Sequence, residues 1–176
     1  ADSDRIAIID DTGRYLDANT ILALLYEHLL SSTNHKGDVV RNITTTHLLD
    51  EIASNYNQKS HEVPVGFKYI GEAMRKYDAV LGGESSGGIA FKTHIQGKDG
   101  IFSAMLVLEM LSQSGLSLSE MVDRLYRKYG MFYRKDYTVH LDKALQNIED
   151  KLKEIENLFY ITGLEVRKIS YLDGIK

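Results

Sequence analysis

The sequence predicts an α/β fold: a layered α/β/α domain with a mixed, mostly parallel sheet of about four strands. Short apolar runs typical of strands alternate with segments whose apolar residues recur at helical spacing. The order along the chain is β-α-β-α-β-α-β-β-α-α-β-α-β, and such alternation favours a parallel or mixed sheet between helical layers. The composition agrees, because 43% apolar and 26% charged residues over 176 positions is typical of a globular domain.

The first strand and the first helix are separated by a turn. Arg5–Asp10 is an apolar run that ends in acids, which predicts a strand. The next four residues, Asp11–Arg14, have the composition of a turn. Asn19 is predicted to cap a helix that ends near Ser31, since apolar residues recur at helical spacing between them.

Strands and helices continue to alternate through the middle of the chain. Predicted strands are Asp38–Ile43, Glu62–Val65, Ala79–Leu81 and Ile89–Phe91. Predicted helices are one that begins after Thr45 or Thr46, then Gly66–Tyr77, Asp99–Ser114 and Ser117–Tyr129.

Two of these helices allow a finer prediction. Asp99–Ser114 is apolar at most positions, which predicts cover on more than one side. Ser117 precedes Glu120 by three residues, the spacing of a capping box.

The C-terminal part is predicted to be an incomplete βαβ piece beyond a domain seam near Gly130–Asp136. It consists of a strand over Phe132–Leu141, a helix and a strand over Val166–Tyr171. The helix carries one apolar stripe from Leu141 to Leu158, too short for a coiled coil, so it is expected to dock on its own domain. Without that domain the stripe would be exposed, which leads us to expect dimerisation or domain swapping of the chain.

The charge balance excludes several partners. The net charge is −4 and the isoelectric point about 5.9, so neither a nucleic acid nor an anionic membrane is an expected partner. A basic cluster lies at Arg124–Lys135, but Asp123 and Asp136 flank it, which favours a solvated helix end over a polyanion site.

Cysteine and apolar content suggest a compartment. The chain has no cysteine, hence no disulfide framework, and no apolar run approaches the ~20 residues of a membrane span. We therefore expect a cytoplasmic protein without a signal peptide. The chain opens in a charged cluster that leads directly into a strand pattern, which suggests a piece of a longer protein.

The first candidate site is the pair Asp2 and Asp4. Two carboxylates at a spacing of two, in a loop before a strand, can bind a hard cation through oxygen. Mg²⁺ usually takes few protein carboxylates and leaves positions for water and phosphate. A solvated, charged terminus is the alternative.

The second candidate site is the glycine-rich stretch Gly82–Gly88. Glycines allow positive φ angles and a close approach of backbone to ligand. Glu84 can accept hydrogen bonds from neighbouring hydroxyls, and Ser86 can donate or accept one more, which suits a polyol. The stretch matches neither the phosphate-loop nor the dinucleotide-binding pattern. A tight β-turn without a ligand is the alternative.

The third candidate site precedes the helix that starts near Asp99. Lys92, His94 and Lys98 lie close in sequence to the free N–H groups of that helix start and together suit a phosphate. His94 can also transfer a proton near neutral pH. The alternative is that Asp99 caps the helix and the cations are solvated.

Four segments, in this order, resemble the α-D-phosphohexomutase superfamily, which contains the phosphoglucomutases and phosphomannomutases. ADSDRIAIID at the N-terminus is similar to the family's metal loop, D-x-D-x-D-R followed by a strand. VGFKYI at Val65–Ile70 resembles the segment that opens a helix in its third domain. GGESSGG resembles the sugar-recognition loop, and HIQGKDGI at His94–Ile101 the stretch that follows it in bacterial members. The resemblance covers nearly the whole chain.

The resemblance implies a role for each candidate residue. Glu84 and Ser86 would bind adjacent sugar hydroxyls, with Gly83 and Gly87 leaving room for the sugar. Asp2 and Asp4 would be the second and third carboxylates of a Mg²⁺ site, with Arg5 beside them. Weaker candidates for phosphate or sugar contacts are Lys68, Lys92, His94 and Lys98.

The sequence also departs from the family pattern. The first metal aspartate is missing and would precede Ala1, and neither the phosphoserine loop nor the phosphate loop of the last domain is present. Gly88 stands where many members carry a histidine. The implied layout is the end of domain two at 1–18, domain three at 19–133 and the start of domain four at 134–176.

The implied activity is an intramolecular phosphoryl transfer between C1 and C6 of a hexose phosphate, through a phosphoserine and a hexose bisphosphate. The partners would be these sugars and the rest of the enzyme, namely domains 1, 2 and 4. Because the chain lacks the nucleophile, we expect it to be inactive alone. Two alternatives are a non-catalytic module that binds a sugar phosphate or a protein, and a metal-dependent phosphatase using Asp2 and Asp4. Residues Arg5-Ile6 do not fit the strand end of such a phosphatase.

Overall fold

The structure is a computed structural model that describes residues 3–32, 35–133, 159–161 and 163–165. It divides the chain into two compact units, Ala1–Tyr133 and Arg134–Lys176. All candidate site residues described below lie in the first unit.

The described part of the first unit contains five helices and six strands. The helices are α1 Ala18–Ser32, α2 Leu48–Asn55, α3 Phe67–Tyr77, α4 Gly100–Ser114 and α5 Leu118–Tyr129. The strands are β1 Ile8–Ile9, β2 Tyr15–Leu16, β3 Val39–Asn42, β4 Ser60–Val63, β5 Leu81–Gly83 and β6 Ile89–Phe91.

The central sheet has the strand order β4-β3-β5-β6. β3 pairs in parallel with both β4 and β5, whereas β6 pairs antiparallel with β5. The sheet is mixed and mostly parallel, which confirms the predicted fold class. The parallel strands end together at Asn42, Val63 and Gly83, and we call this side of the sheet the carboxyl edge.

Helices cover both faces of the sheet. Val39 and Val40 are consecutive on β3 and point to opposite faces. Val39 packs in the larger apolar cluster, which includes residues of α1, α2, α4 and α5. Val40 packs in a smaller cluster with Ile70 and Met74 of α3. The result is three layers, α/β/α.

The start of α1 differs from the prediction. Asp17, not Asn19, caps the helix, since its Oδ1 accepts a hydrogen bond from the Thr20 N–H at 2.7 Å. Asn19 Oδ1 instead accepts from the Thr46 N–H at 3.1 Å, which ties α1 to the turn after β3. Aspartate and asparagine are both good helix caps, so local sequence cannot decide which of Asp17 and Asn19 caps α1. The contact of Asn19 with Thr46 decides it.

The predicted cover of α4 on more than one side is wrong for the described residues. Ile101, Met105 and Leu108 are 63%, 61% and 66% exposed, while Val107 and Met110 face the core. An apolar composition shows that a helix prefers burial, but it does not supply the neighbour.

Among the described helices none alone is long and apolar enough to cross a membrane; α4 and α5 reach that length and composition only together, across an 84° bend.

Two helix caps agree with the sequence. Ser117 and Glu120 form the predicted capping box, in which each side chain accepts from the other's backbone N–H. Asp99 caps α4, with its Oδ1 accepting from the Phe102 N–H at 2.8 Å.

Short strands were the least predictable elements. The predicted strand Arg5–Asp10 shortens to β1, and β2 was not predicted at all. In the second unit, an unpredicted antiparallel hairpin joins β7 Tyr160–Ile161 to β8 Leu164–Glu165. Most of the predicted strand Phe132–Leu141, the helix Leu141–Leu158 and the strand Val166–Tyr171 lie outside the described residues.

Candidate functional site

The carboxyl edge of the sheet carries a polar cluster. Asn42 is the last residue of β3, and Glu84 directly follows the last residue of β5. Ligand sites in open α/β sheets lie outside the carboxyl ends of the strands. The fold therefore places Glu84, which the sequence singled out, where a site is expected.

Glu84 belongs to a tight turn between β5 and β6, which we call the Glu84 hairpin (Gly83–Gly88). The Gly87 N–H donates to the Glu84 carbonyl and the Glu84 N–H to the Gly88 carbonyl, both at 3.0 Å. Gly87 has a φ of +96°, a conformation that side-chain-bearing residues rarely adopt. The stretch thus forms a tight turn, and the turn presents Glu84 at the carboxyl edge.

The Glu84 carboxylate is held from two sides. Its Oε1 accepts from the Asn42 amide at 3.3 Å and its Oε2 from the Ser86 hydroxyl at 3.4 Å. The residue is only 8% exposed. A carboxylate offers about four lone-pair directions, and described side-chain donors use two of them. The remaining acceptor capacity suits a ligand with neighbouring hydroxyls.

Gly83 has a packing role. A Cβ there would collide with the side chain of Leu22 on α1. Its glycine identity is therefore explained by the contact between the sheet and α1.

Lys98 lies across the hairpin and reaches the N-terminal segment. Its ammonium forms an ion pair with Asp4, whose other oxygen lies 3.6 Å from the Arg5 guanidinium. Arg5 pairs with Gly88 as an antiparallel bridge. The candidate metal-loop residue Asp4 and the Glu84 hairpin are thereby brought together. Asp2 lies outside the described residues.

Gly88 makes room for Lys98. Its backbone is not in the left-handed region, so its conformation does not require glycine. A Cβ at this position would, however, meet the Lys98 side chain, with Cγ at 3.0 Å and Cδ closer still. The missing side chain, not a special φ angle, lets Lys98 reach Asp4.

The third predicted cluster does not assemble. Lys92 follows β6 at the end opposite the Glu84 hairpin, where its ammonium lies 2.5 Å from Asp78 Oδ2. His94 Nε2 lies 2.8 Å from Asp99 Oδ2, with its ring stacked on Phe102. Of the three cations, only Lys98 reaches the N-terminal carboxylate.

Asp99 acts as a helix cap, which was the alternative interpretation of that cluster. The Phe102 N–H, and after it the His94 ring, hold the pKa of Asp99 below its ordinary value. The pair orders the start of α4 and uses His94 in a structural contact.

Lys68 lies in the first turn of α3, which follows the carboxyl end of β4. Its side chain is exposed and its ammonium lies 4.6 Å above the ring of Tyr69. It is on the same side of the sheet as the site, without a described contact to Glu84.

Sequence reasoning missed a second polar cluster on the neighbouring residue of β3. Arg41 is buried and binds Asp50 through both carboxylate oxygens, at 2.8 and 2.7 Å, and Glu62 at 2.9 Å. Burial alone would raise the pKa of Asp50, but the Arg41 hydrogen bonds bring it below its ordinary value. The signal was present, since an arginine within the apolar run DVVRNI needs buried partners.

A metal site is not complete among the described residues. They contain no group of three or more histidine, cysteine, aspartate or glutamate side chains arranged to hold an ion. Asp4 is the described carboxylate nearest to such a role, and Lys98 neutralises it.

Together, these features define an α/β/α domain with a buried carboxylate in a glycine-rich hairpin at the carboxyl edge of its sheet. Residues 17–129 match the family described as phosphoglucomutase/phosphomannomutase, alpha/beta/alpha domain III. The chain belongs to this family, and it covers the third domain.

Two relatives support the assignment. The chain is 31% identical over 173 residues to a phosphoglucomutase/phosphomannomutase of Thermococcus kodakarensis, covering 98% of this chain and 37% of that protein. It is 29% identical over 165 residues to a phosphoglucosamine mutase of Nitratidesulfovibrio vulgaris, covering 88% and 35%. The chain thus spans little more than a third of the length of these relatives.

Solved structures agree. A Thermus thermophilus protein assigned as a phosphomannomutase has a TM-score of 0.69 and 30% identity, over 73% of this chain and 29% of that one. An N-acetylphosphoglucosamine mutase of Aspergillus fumigatus, solved with GlcNAc-6P and magnesium, has a TM-score of 0.55 and 19% identity, over 69% and 33%. The latter shows a shared fold.

Proposed function

We propose that this chain is part of a phosphohexomutase that moves a phosphate between C1 and C6 of a hexose phosphate, through a phosphoserine and a hexose bisphosphate. Within that enzyme it supplies the sugar-recognition hairpin and part of the metal site. The observation that carries the proposal is the buried Glu84 carboxylate, oriented by two side-chain donors at the carboxyl edge of a family domain.

Glu84 and Ser86 bind sugar hydroxyls in this proposal. A bisphosphate must present first one end and then the other to the same serine, so the protein has to grip the sugar ring in both orientations. Vicinal hydroxyls are the part of the ring that a carboxylate and a neighbouring hydroxyl can hold. Such positioning supplies much of the catalysis in phosphoryl transfer, where the protein does little covalent chemistry.

Lys98 is the cation best placed to meet a phosphate beside the hairpin. It lies next to Gly88 and is paired with Asp4. Lys68 contributes positive charge at the same edge, from the first turn of α3. Lys92 and His94 are held in contacts with Asp78 and Asp99, which favours a structural role for both.

The donor chemistry of Asp4 fits Mg²⁺ in part. Mg²⁺ prefers oxygen ligands and binds proteins through one or two carboxylates, with water and phosphate completing its shell. Asp4, together with Asp2, would hold the ion, and Lys98 would have to leave the Asp4 carboxylate. Mg²⁺ bound there would offset negative charge on the transferred group.

The remaining parts of the enzyme would come from outside this chain. We propose the layout 1–18 for the end of domain two, 19–133 for domain three and 134–176 for the start of domain four, in a cytoplasmic enzyme. The chain contains no family phosphoserine loop. Purified and free of host mutase, it should therefore show no turnover of glucose 1-phosphate; turnover that follows the chain through purification would contradict this.

Ligand binding tests the sugar role directly. We expect glucose 1,6-bisphosphate to shift the backbone amide signals of Gly87 and Gly88 in a nuclear magnetic resonance titration of the 176-residue chain. Glu84→Gln should weaken that binding roughly tenfold, because charged hydrogen bonds contribute about 1.5–3 kcal/mol. Glu72→Gln, at an exposed position of α3, is the matched control and should change it less than about twofold. Equal affinity of the wild type and Glu84→Gln would refute the role of Glu84.

A further inference from the structure

We propose that Asn42 is the positioning residue of the sugar site, because its buried amide fixes the direction of the Glu84 carboxylate. This inference rests on the proposed role of Glu84 in sugar binding. Asn42 is 2% exposed and ends β3, which is the strand next to β5. It contacts no ligand in this proposal and acts through Glu84.

The surroundings of Asn42 determine which way its amide points. Its Oδ1 accepts from the Thr44 N–H at 3.1 Å, the Thr44 hydroxyl at 2.9 Å and the Thr45 hydroxyl at 2.6 Å. A backbone N–H can only donate, so the atom that it meets must be the amide oxygen. The amide NH₂ therefore faces Glu84, whose ionised carboxylate can only accept.

The turn that contains Thr44 and Thr45 thus fixes the orientation of the Asn42 amide, and Asn42 in turn orients the Glu84 carboxylate. A second link joins the same two loops, since the hydroxyls of Thr44 and Ser85 lie 3.0 Å apart. A functional group that is held by its own satisfied hydrogen-bond partners loses less conformational entropy when a ligand binds. The turn after β3 is therefore part of the sugar site, although its sequence carries no recognisable motif.

The chemistry of the pair suggests a direct test. Asn42→Asp keeps the shape and the oxygen that the threonines use, but it replaces the NH₂ donor by a second carboxylate oxygen facing Glu84. The two acceptors repel, and Glu84 has to turn away. In the Glu84→Gln background the repulsion is absent. The glutamine amide then donates a hydrogen bond to the carboxylate introduced by Asn42→Asp, which reverses the donor and acceptor roles of the two positions.

The experiment measures the affinity of the full chain for glucose 1,6-bisphosphate from the Gly87 and Gly88 amide shifts. We expect Asn42→Asp to weaken binding at least about tenfold in the wild-type background and less than about twofold in the Glu84→Gln background. A tenfold change in affinity equals about 1.4 kcal/mol. Asn55→Asp, which adds the same charge at an exposed position of α2, should change the affinity less than about twofold. This coupling is the readout that a merely structural role of Asn42 would not produce.

Each other outcome decides the question. Equal losses in both backgrounds would overturn the inference, because the added charge would then act on the ligand and not through Glu84. No loss in either background would overturn it too. Should Asn42→Asp not fold, Asn42→Ser, whose side chain is too short to reach Glu84, replaces it. Because it removes the donor without adding repulsion, we expect a smaller loss of affinity in the wild-type background and again less than about twofold in Glu84→Gln. A wild-type chain that shows no shifts at millimolar ligand would refute the proposed sugar role, and this inference with it. If the single variant Glu84→Gln weakens binding but Asn42→Asp does not, only the inference is refuted.

Discussion

Two consecutive residues of β3 serve two different polar clusters. Arg41 points to the face covered by α2 and binds Asp50 and Glu62, while Asn42 points to the opposite face and binds Glu84. In the Arg41 cluster each carboxylate is matched by the guanidinium. In the Asn42 cluster the carboxylate is oriented by neutral donors and keeps its charge unmatched by any described cation. Removing the guanidinium from the first arrangement should therefore be costly, whereas the second leaves acceptor capacity for a polar ligand.

The largest effect should come from breaking the Arg41 cluster. Arg41→Met removes the buried guanidinium that binds the half-buried carboxylates of Asp50 and Glu62, which should lower the free energy of unfolding by about 3 kcal/mol. Urea denaturation followed by circular dichroism measures the loss. Lys68→Met, at an exposed site, is the control and should stay within about 0.5 kcal/mol of the wild type. A loss below about 1 kcal/mol would mean that solvent already screens the pair.

The Glu84 cluster should respond differently to the same kind of change. Glu84→Gln removes a buried charge that has no cationic partner among the described residues, so the free energy of unfolding should change by less than about 1 kcal/mol in either direction. The same urea denaturation provides the comparison with Arg41→Met. A loss as large as that of Arg41→Met would assign Glu84 to stability and weaken the contrast between the clusters.

Acid should act mainly through carboxylates such as those of the Arg41 cluster. The pKa of Asp50 is lower in the folded than in the unfolded chain, so its contribution is present above the unfolded pKa of about 4 and is lost as the pH falls through the folded value. The pKa of Asp10, held at about 2 chiefly by the Thr12 hydroxyl, adds to the same trend. Stability measured from about pH 5 down to about pH 2 should therefore fall, and Asp50→Asn should fall less steeply. Parallel curves for the two proteins would contradict the assignment to Asp50.

The smallest effect on stability should come from Gly88. Gly88→Ala pushes a flexible lysine side chain and no backbone, so the free energy of unfolding should change by less than about 1 kcal/mol. The Lys98 ammonium should nevertheless leave Asp4, which the side-chain ammonium resonance of Lys98 reports. Gly97→Ala is the matched control, since a Cβ there meets nothing within 4 Å. An unchanged Lys98 resonance in Gly88→Ala would show that the lysine can pass a side chain at position 88.

Much of the fold was predictable because it depends on local patterns. Alternating apolar periodicities located all five described helices and the four strands of the central sheet, and Ser117 with Glu120 revealed a helix start by spacing alone. The two-residue strands β2, β7 and β8 were not predictable, because such short segments carry no period and form only where a partner strand is available. The prediction that Asn19 caps α1 was wrong for a related reason, because Asn19 binds Thr46 across the fold.

The sequence by itself determined the class of domain, the glycine-rich stretch between two short strands and the choice of Glu84, since these depend on residue type and order within short segments. Only the tertiary structure decided that Lys92 and Lys98 lie apart, that Gly88 admits Lys98 to Asp4, and that Asn42 orients Glu84. Asn42 and Glu84 are 42 positions apart in sequence and meet because β3 and β5 are parallel neighbours whose carboxyl ends coincide. Strand pairing, which no local pattern contains, brings them together.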